Sequence, residues 1–478
     1  MDEAVAFAPL EDLQRWFRSG HVAPVELTAL LLRRIERLNP LLHAYITVAA
    51  DRALQEARAA QERLARGDDA PLLGIPVAIK DNLSTQGLRT TANSRLWATW
   101  IPAHDATAVA RLRLAGAVVL GKTNLNELGW SVPTDDDLCP PPRNPWNPSL
   151  AAIGSSSGSG AAVAAGLAAA ALGTDGGGSV RLPAGQMGLA GLKPTHGLIS
   201  RAGSFQAGTL SDVGPLARTV RDMALVLNVL AGHDPADPVT RQDRAADYMA
   251  GVEDGVRGLR LGVPWSYVDT VPVDADVRQA YEAALQEFSR LGASLHTVDL
   301  RVLEGARAAA FVVLNAEHYA AHEATLRTHW SRYGRSARLY LAQAAFLSAA
   351  DYLQARRLGT LVAHAVDRVL DQVDVVVLPT SPMVTAEAAR RPEVHRCGLN
   401  ASFTAPFNLT GHPALSVPCG VSRATGLPMG LQLVGRRGDE VRLLRTARAL
   451  ERVRPWPTQP PAVASLPTEG PLSQAPPS

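Results

Sequence analysis

Apolar residues recur at three- and four-residue spacing through EDLQRWF, ELTALLLRRIERL and ADRALQEARAAQERLA. Residues 9–66 are therefore predicted to form helices, an outer layer covering about 1–68. The period then changes. GIPVAIKDN is a short apolar run ending in Lys80 and Asp81, the signature of a buried strand that delivers a polar tip. ATAVARLRLAG has a helical pattern and AVVLGK is a second buried run, so strand and helix alternate as in an α/β sheet. Further strands are predicted at LRLGVP, DVVVLP, ALSVP and MGLQLVG, with helices over 274–292, 305–327, 350–371 and 439–453. Residues 1–454 are expected to be one domain. Residues 455–478, rich in Pro and Ser, are expected to be a disordered tail.

One stretch, 133–197, departs from both periods. A Pro-rich loop leads through IGSSSGSG into AAVAAGLAAAAL, predicted as a helix of small residues, and on to GTDGGGSVRLPAG. Two flexible linkers would not be joined by a helix that fits only where neighbouring elements approach closely, so these glycines are expected to be buried backbone. Gly176, Gly177 and Gly178 lead into Ser179. A loop without side chains can turn its N–H groups inward beside that hydroxyl and cradle a developing oxyanion. Ser155 lies on the far side of the small-residue helix and can return to the same place. A hydroxyl there can relay a proton between a nucleophile and a base.

Composition narrows the chemistry. Of 47 basic residues only Lys80, Lys122 and Lys193 are lysines. Where arginine fills ordinary positions, a lysine supplies what a guanidinium cannot, an amine able to lose its proton when desolvated, so each is a candidate base as well as a candidate ion-pair partner, Lys122 and Lys193 most simply as scaffold residues. Net charge +2 gives no field that recruits nucleic acid or anionic lipid. The expected partner is a small molecule, with no nucleic acid and no membrane, on a monomer or homodimer. Cys139, Cys397 and Cys419 are too few and scattered for a disulfide framework, and a cytoplasmic location is expected.

The segments LLGIPVAIKDN, NPWNPSLAAIGSSSGSGAAVAAG, LGTDGGGSVRLPAGQMGLAGLKPTHGLIS, DVGPLARTVRD and GLPMGLQLVGRRGDE resemble, in order, the blocks of the amidase signature family. The resemblance implies an α/β fold with a large, mixed, mostly parallel twisted sheet covered by helices on both faces. It implies a Ser–cis-Ser–Lys triad falling on Ser179 as nucleophile, Ser155 as shuttle and Lys80 as base, with a cis Gly154–Ser155 peptide bond. The oxyanion hole falls on the backbone N–H groups of Gly176, Gly177, Gly178 and Ser179. No metal and no cofactor are implied. The expected reaction is hydrolysis of a small aryl or alkyl amide through an acyl-enzyme, and a carbamate or ester is open to the same acyl chemistry.

Several positions depart from the family pattern. Ile153 and Ser157 stand where glycines are usual and Gly176 where Thr is usual, which is expected to widen or loosen the site; Ser211 stands where Asp is frequent. Ala401 stands where glutamine-binding members, such as the A-type chain of the tRNA-dependent amidotransferase, have Asp. The amidotransferase is therefore the alternative and a stand-alone hydrolase the expectation. A second alternative is a His-dependent α/β-hydrolase using Ser156 within Gly154-Ser-Ser156-Ser-Gly158. The phosphate-loop pattern from Gly116 to Thr123 is expected to be plain strand, because its intervening residues are apolar. His318 and His322, one turn apart, are expected on a solvated helix face rather than on a metal, and Asp175 and Arg181 are expected to brace the nucleophile loop. Trp130, Phe205, Gln206, Trp330 and Tyr352 are candidate pocket walls.

Overall fold

The computed structural model describes residues 2–134, 136–205, 208–242, 246–384, 398–456, 460 and 463. Its strands are β1 (Tyr45–Val48), β2 (Pro76–Lys80), β3 (Val118–Thr123), β4 (Arg143–Asn144), β5 (Asn147–Ala151), β6 (Ala170–Asp175), β7 (Ala190–Lys193), β8 (Asp212–Ala217), β9 (Arg260–Val263), β10 (Ser294–Thr297), β11 (Val375–Pro379), β12 (Ala414–Val421) and β13 (Pro428–Val434). Eleven of them form one sheet in the order β1-β3-β2-β6-β8-β7-β12-β13-β11-β9-β10, and β4 pairs with β5 apart from it. The sheet is large and mixed, and helices cover both faces, as expected.

Its parallel pairing lies on the two flanks, joining β2 to β3 and β6, and β9 to β10 and β11. The middle, from β6 through β8, β7, β12 and β13 to β11, is antiparallel. That antiparallel share is larger than the expected mostly parallel sheet. The reason is that β7 and β8, and β12 and β13, follow one another as neighbouring antiparallel strands without a crossover helix between them.

The N-terminal layer consists of α1 (Leu10–Ser19), α2 (Pro24–Leu42) and α3 (Ala50–Ala65). It is not wholly helical: β1 lies between α2 and α3 and forms the sheet edge against β3. Helix α2 begins with Pro24 at its first turn, and Glu26 accepts the orphan Ala23 N–H at 2.9 Å. The expected buried runs are β2 and β3, joined across α4 (Thr107–Leu114), and every residue of both strands is buried.

The small-residue segment divides in two, contrary to the single predicted helix. Helix α5 runs only over Ser157–Ala164, and the chain re-enters the sheet as β6. The break is at Gly166, whose φ of +64° admits the turn and where a Cβ would strike the Phe7 ring at 2.7 Å. Alanine supports either state once buried, so the apolar run alone could not locate the change. Close approach explains the small residues of α5: at Gly158 a Cβ would lie 2.3 Å from the Asn124 carbonyl oxygen and 2.7 Å from that of Ala44.

Helix α6 (Arg181–Met187) follows the nucleophile loop, and α7 (Val220–Leu230), α8 (Trp265–Val268) and α9 (Ala275–Arg290) continue the cover. Three helices, α10 (Ala306–His329), α11 (Arg335–Ala344) and α12 (Ala349–Gln372), form a layer to one side, before α13 (Ala405–Thr410) and α14 (Glu440–Val453). The ring of Trp456 packs on Trp146 with centroids 5.8 Å apart, so packed chain extends past the expected boundary at 454. Most of the tail beyond it lies outside the described residues, as does Cys397.

Because backbone rather than a flexible side chain faces Gly158, Gly158→Ala is expected to cost about 1–3 kcal/mol, as overpacked cores do. An unchanged thermal unfolding midpoint would contradict this packing.

Candidate active site

The parallel register of β2 and β6 aligns Ile79 with Leu172, so both strands end at the same edge of the sheet. Carboxyl ends of parallel strands are where open α/β sheets place their ligands. Lys80 ends β2, while Thr174 and Asp175 end β6 and lead into the glycine loop. Ser155, from the turn before α5, is buried beside them.

All three lysines are fully buried, but their partners differ. Lys122 Nζ donates to the Leu83 carbonyl (2.6 Å) and Thr90 Oγ1 (2.7 Å), and lies 3.5 Å from Asp81. Lys193 Nζ lies 3.1 Å from Asp212. Lys80 Nζ meets Ser155 Oγ at 2.7 Å and Thr174 Oγ1 at 2.8 Å, with no carboxylate in contact. Burial pushes its amine well below the ordinary lysine value, and the more distant Asp175 charge opposes this only in part. Burial also lowers Lys122, to about 8, against the pull of Asp81.

Asp175 and Arg181 are both shut off from solvent and form an ion pair at 2.9 Å. Burial alone would raise the Asp175 pKa, but the Arg181 charge and several hydrogen bonds outweigh it and hold the carboxyl below its usual range. The guanidinium reaches on to the Thr404 carbonyl, Gln432 Oε1 and Asn408 Oδ1, tying the loop to the C-terminal third of the chain. The same carboxylate accepts the Gly178 N–H at 2.7 Å and the Val180 N–H at 3.1 Å. This removes Gly178 from the expected oxyanion donors, since its N–H already has a partner. The N–H groups of Gly176, Gly177 and Ser179 make no hydrogen bond within the described chain. Gly178, at φ +125°, must remain glycine: a Cβ would lie 2.3 Å from Thr404 Oγ1.

Two further expectations are corrected. The described chain has no cis peptide bond, so Gly154–Ser155 is trans. Gly154 turns the chain by its own φ of +89°, pressed so close to Pro183 that a Cβ would lie 2.7 Å away. Ser156 does not face the site, because its hydroxyl donates to the Thr174 carbonyl at 3.0 Å and accepts the Thr174 N–H at 3.2 Å. That use in scaffolding removes the basis for a Ser156 nucleophile.

Ser155, Ser179, Gly176 and Gly177 line a cavity of about 520 Å³, and Ile153 and Ala401 form part of its wall. The Ser179 hydroxyl makes no hydrogen bond within the described chain; the two serine segments are joined through the Ser156 N–H and the Ser179 carbonyl, 3.1 Å apart. Of the proposed wall residues that are described, Trp130 alone is in the lining. Phe205 packs on Trp97 and Trp100, Trp330 is 47% exposed beneath Arg338, and the Tyr352 hydroxyl donates to Glu317. Gln206 lies outside the described residues.

The far wall comes from α10 and α11, through Phe311, Asn315, His318 and Tyr340. Trp130 stacks on His318 at 4.8 Å and 6°, and its indole N–H donates to Asn315 Oδ1. His318 and His322 are thus buried, not solvated. Among the described residues no group of three potential ligands could hold a metal. Buried Glu127 links the Trp130 turn to this wall by accepting the Gly334 N–H at 2.8 Å, and burial pushes its carboxyl up to about 7. Thr174 and Asn82 were missed although both stand inside the signature blocks. The residues of α10 and α11 carried no signal beyond ordinary helical periodicity.

A family model described as Amidase matches residues 26–444. The A-type chain of the glutamyl-tRNA(Gln) amidotransferase of Roseiflexus castenholzii (strain DSM 13941 / HLO8) is 41% identical over 469 residues, covering 93% of this chain and 95% of that one. The crystal structure of the corresponding A-type chain of the glutamyl-tRNA(Gln) amidotransferase from Thermotoga maritima is 34% identical with a TM-score of 0.75, covering 90% of this chain and 91% of that one. A second solved structure, described as belonging to a vestigial protein complex that reveals the origins of an s-triazine catabolic enzyme, has a TM-score of 0.87 at 28% identity and covers 94% and 99%. These relatives correct the expectation of a monomer or homodimer without other protein partners: they are described as subunits of an amidotransferase or as part of a protein complex. A near-neutral overall charge says nothing about a surface built to meet another protein.

Asp175→Asn leaves the buried Arg181 without its counter-charge and is expected to cost about 3–5 kcal/mol, as breaking a buried pair does. An unchanged urea midpoint would show that the pair does not hold the loop.

Proposed function

The chain belongs to the Amidase family, and from that membership we propose that Ser179, Ser155 and Lys80 cleave a carboxamide C–N bond, with the chain serving as the A-type component of an amidotransferase. The observation that carries the chemistry is the 2.7 Å contact of fully buried Lys80 with Ser155 at the wall of the cavity. Neutral Lys80 takes the Ser155 proton, and Ser155 takes that of Ser179 as its oxygen attacks the carbonyl. The leg between the serines closes when substrate is bound, since catalytic hydrogen bonds tighten in the complex. The N–H groups of Gly176, Gly177 and Ser179 stabilise the oxyanion. Ser155 then returns a proton to the departing nitrogen, and water releases the acyl group by the same relay.

Identity of 41% over nearly the full chain supports the amidotransferase reading and reverses the order suggested by Ala401. One observation keeps the stand-alone hydrolase as a second reading. Ala401 lies in the cavity wall, and the described lining residues include no carboxylate to meet a glutamine ammonium group. Release of ammonia from glutamine favours the first reading; turnover confined to primary amides, anilides or carbamates favours the second.

Ser179→Ala is expected to abolish both turnover and labelling by a fluorophosphonate, and persistent labelling would place the nucleophile elsewhere. Lys80→Arg is expected to be nearly inactive, because it keeps charge and loses basicity. In the unaltered protein, activity is expected to fall as pH drops through the lowered Lys80 pKa, since only the neutral amine accepts a proton; a rate flat across that range would contradict the assignment.

A further inference from the structure

The relay depends on which way the lone pair of Lys80 points. A neutral primary amine has two N–H bonds and one lone pair, and three oxygens surround Nζ: Ser155 Oγ at 2.7 Å, Thr174 Oγ1 at 2.8 Å and the Thr174 carbonyl at 3.4 Å. The carbonyl can only accept. Thr174 Oγ1 also receives Asn82 Nδ2–H at 3.0 Å, which leaves a second lone pair to accept an N–H of Lys80. When both N–H bonds of the amine go to Thr174, the lone pair is left for the hydroxyl proton of Ser155.

We infer that Thr174 and Asn82 are positioning residues that aim the Lys80 lone pair at Ser155. They are well placed to do so. The Thr174 backbone is clamped at both ends by the Ser156 hydroxyl, and the Asn82 carbonyl accepts the Phe205 N–H at 2.9 Å. Gly129 closes the other side: a Cβ there would lie 3.2 Å from Asn82 Nδ2 and 3.8 Å from both Lys80 Nζ and Ser155 Oγ. The charged group whose field reaches the amine is Asp175, at the end of the same strand as Thr174 and held by Arg181. Without the Thr174 hydroxyl the amine can turn its lone pair away from Ser155. The ammonium form also loses an acceptor, which favours the neutral form still more.

The inference rests on Lys80 being the base, and its test keeps the two claims apart. Thr174→Val is expected to lower kcat about a hundredfold, the scale of a misaligned acid–base group, with little change in KM. The acid limb of its pH profile should move to lower pH. Thr174→Ser, which keeps the hydroxyl, should restore both to near the unaltered values. If the valine variant does not fold, as judged by thermal unfolding, Thr174→Ala removes the hydroxyl without a new methyl and repeats the measurement. Thr174 variants with an unaltered kcat and acid limb, beside an inactive Lys80→Met, overturn the positioning role alone. An active Lys80→Met overturns the base assignment and this inference with it.

Discussion

A lysine amine withdrawn from water without a carboxylate in contact is costly to keep charged, because the desolvation of an ion amounts to several kcal/mol. Lys80 is in that condition, and its immediate neighbours are hydroxyl and carbonyl oxygens. Lys122 and Lys193, equally buried, each stand beside a carboxylate, Asp81 at 3.5 Å and Asp212 at 3.1 Å. Two kinds of buried lysine therefore stand in one sheet, separated by the presence or absence of a counter-charge. The proposed chemistry follows from the second kind.

The surrounding fold keeps that carboxylate-free place in order. Parallel pairing of β2 with β6, Ile79 beside Leu172, brings Lys80 within reach of Thr174, and the close packing of α5, possible only with residues as small as Gly158, lets the Ser155 turn approach. The charge that acts on the Lys80 amine, Asp175, is spent on Arg181 and on the N–H groups of Gly178 and Val180. This fixes the glycine loop while the N–H groups on either side of Gly178 remain without an internal acceptor. Because Arg181 continues to Thr404, Asn408 and Gln432, segments more than 200 residues apart in sequence share one network at the site.

Much of this was legible in the sequence where a residue type had one physical use. Apolar runs ending in a polar tip located β2 and β3, and three lysines among 47 basic residues pointed to three fully buried amines. Alanine was uninformative, and so a strand was hidden inside an apparent helix between Ala161 and Leu172. Aromatic residues were poor guides to the pocket, because Phe205, Trp330 and Tyr352 have partners of their own elsewhere. The far wall is tertiary: Asn315 and His318 meet Trp130 only after α10 has packed against the segment that carries it. The availability of the Gly178 N–H, and the relatives' membership of multi-subunit assemblies, are equally matters of contact that no local pattern encodes.

The small number of lysines also makes the central claim directly measurable. With ¹³C-labelled lysine the protein carries only three side-chain Cε signals, from Lys80, Lys122 and Lys193, and the Lys80 signal is identified by its loss in Lys80→Arg. Followed against pH, that signal is expected to change well below the ordinary lysine value and to report a neutral amine where the enzyme works. A Lys80 signal that stays in its charged position up to the ordinary lysine range would contradict the account.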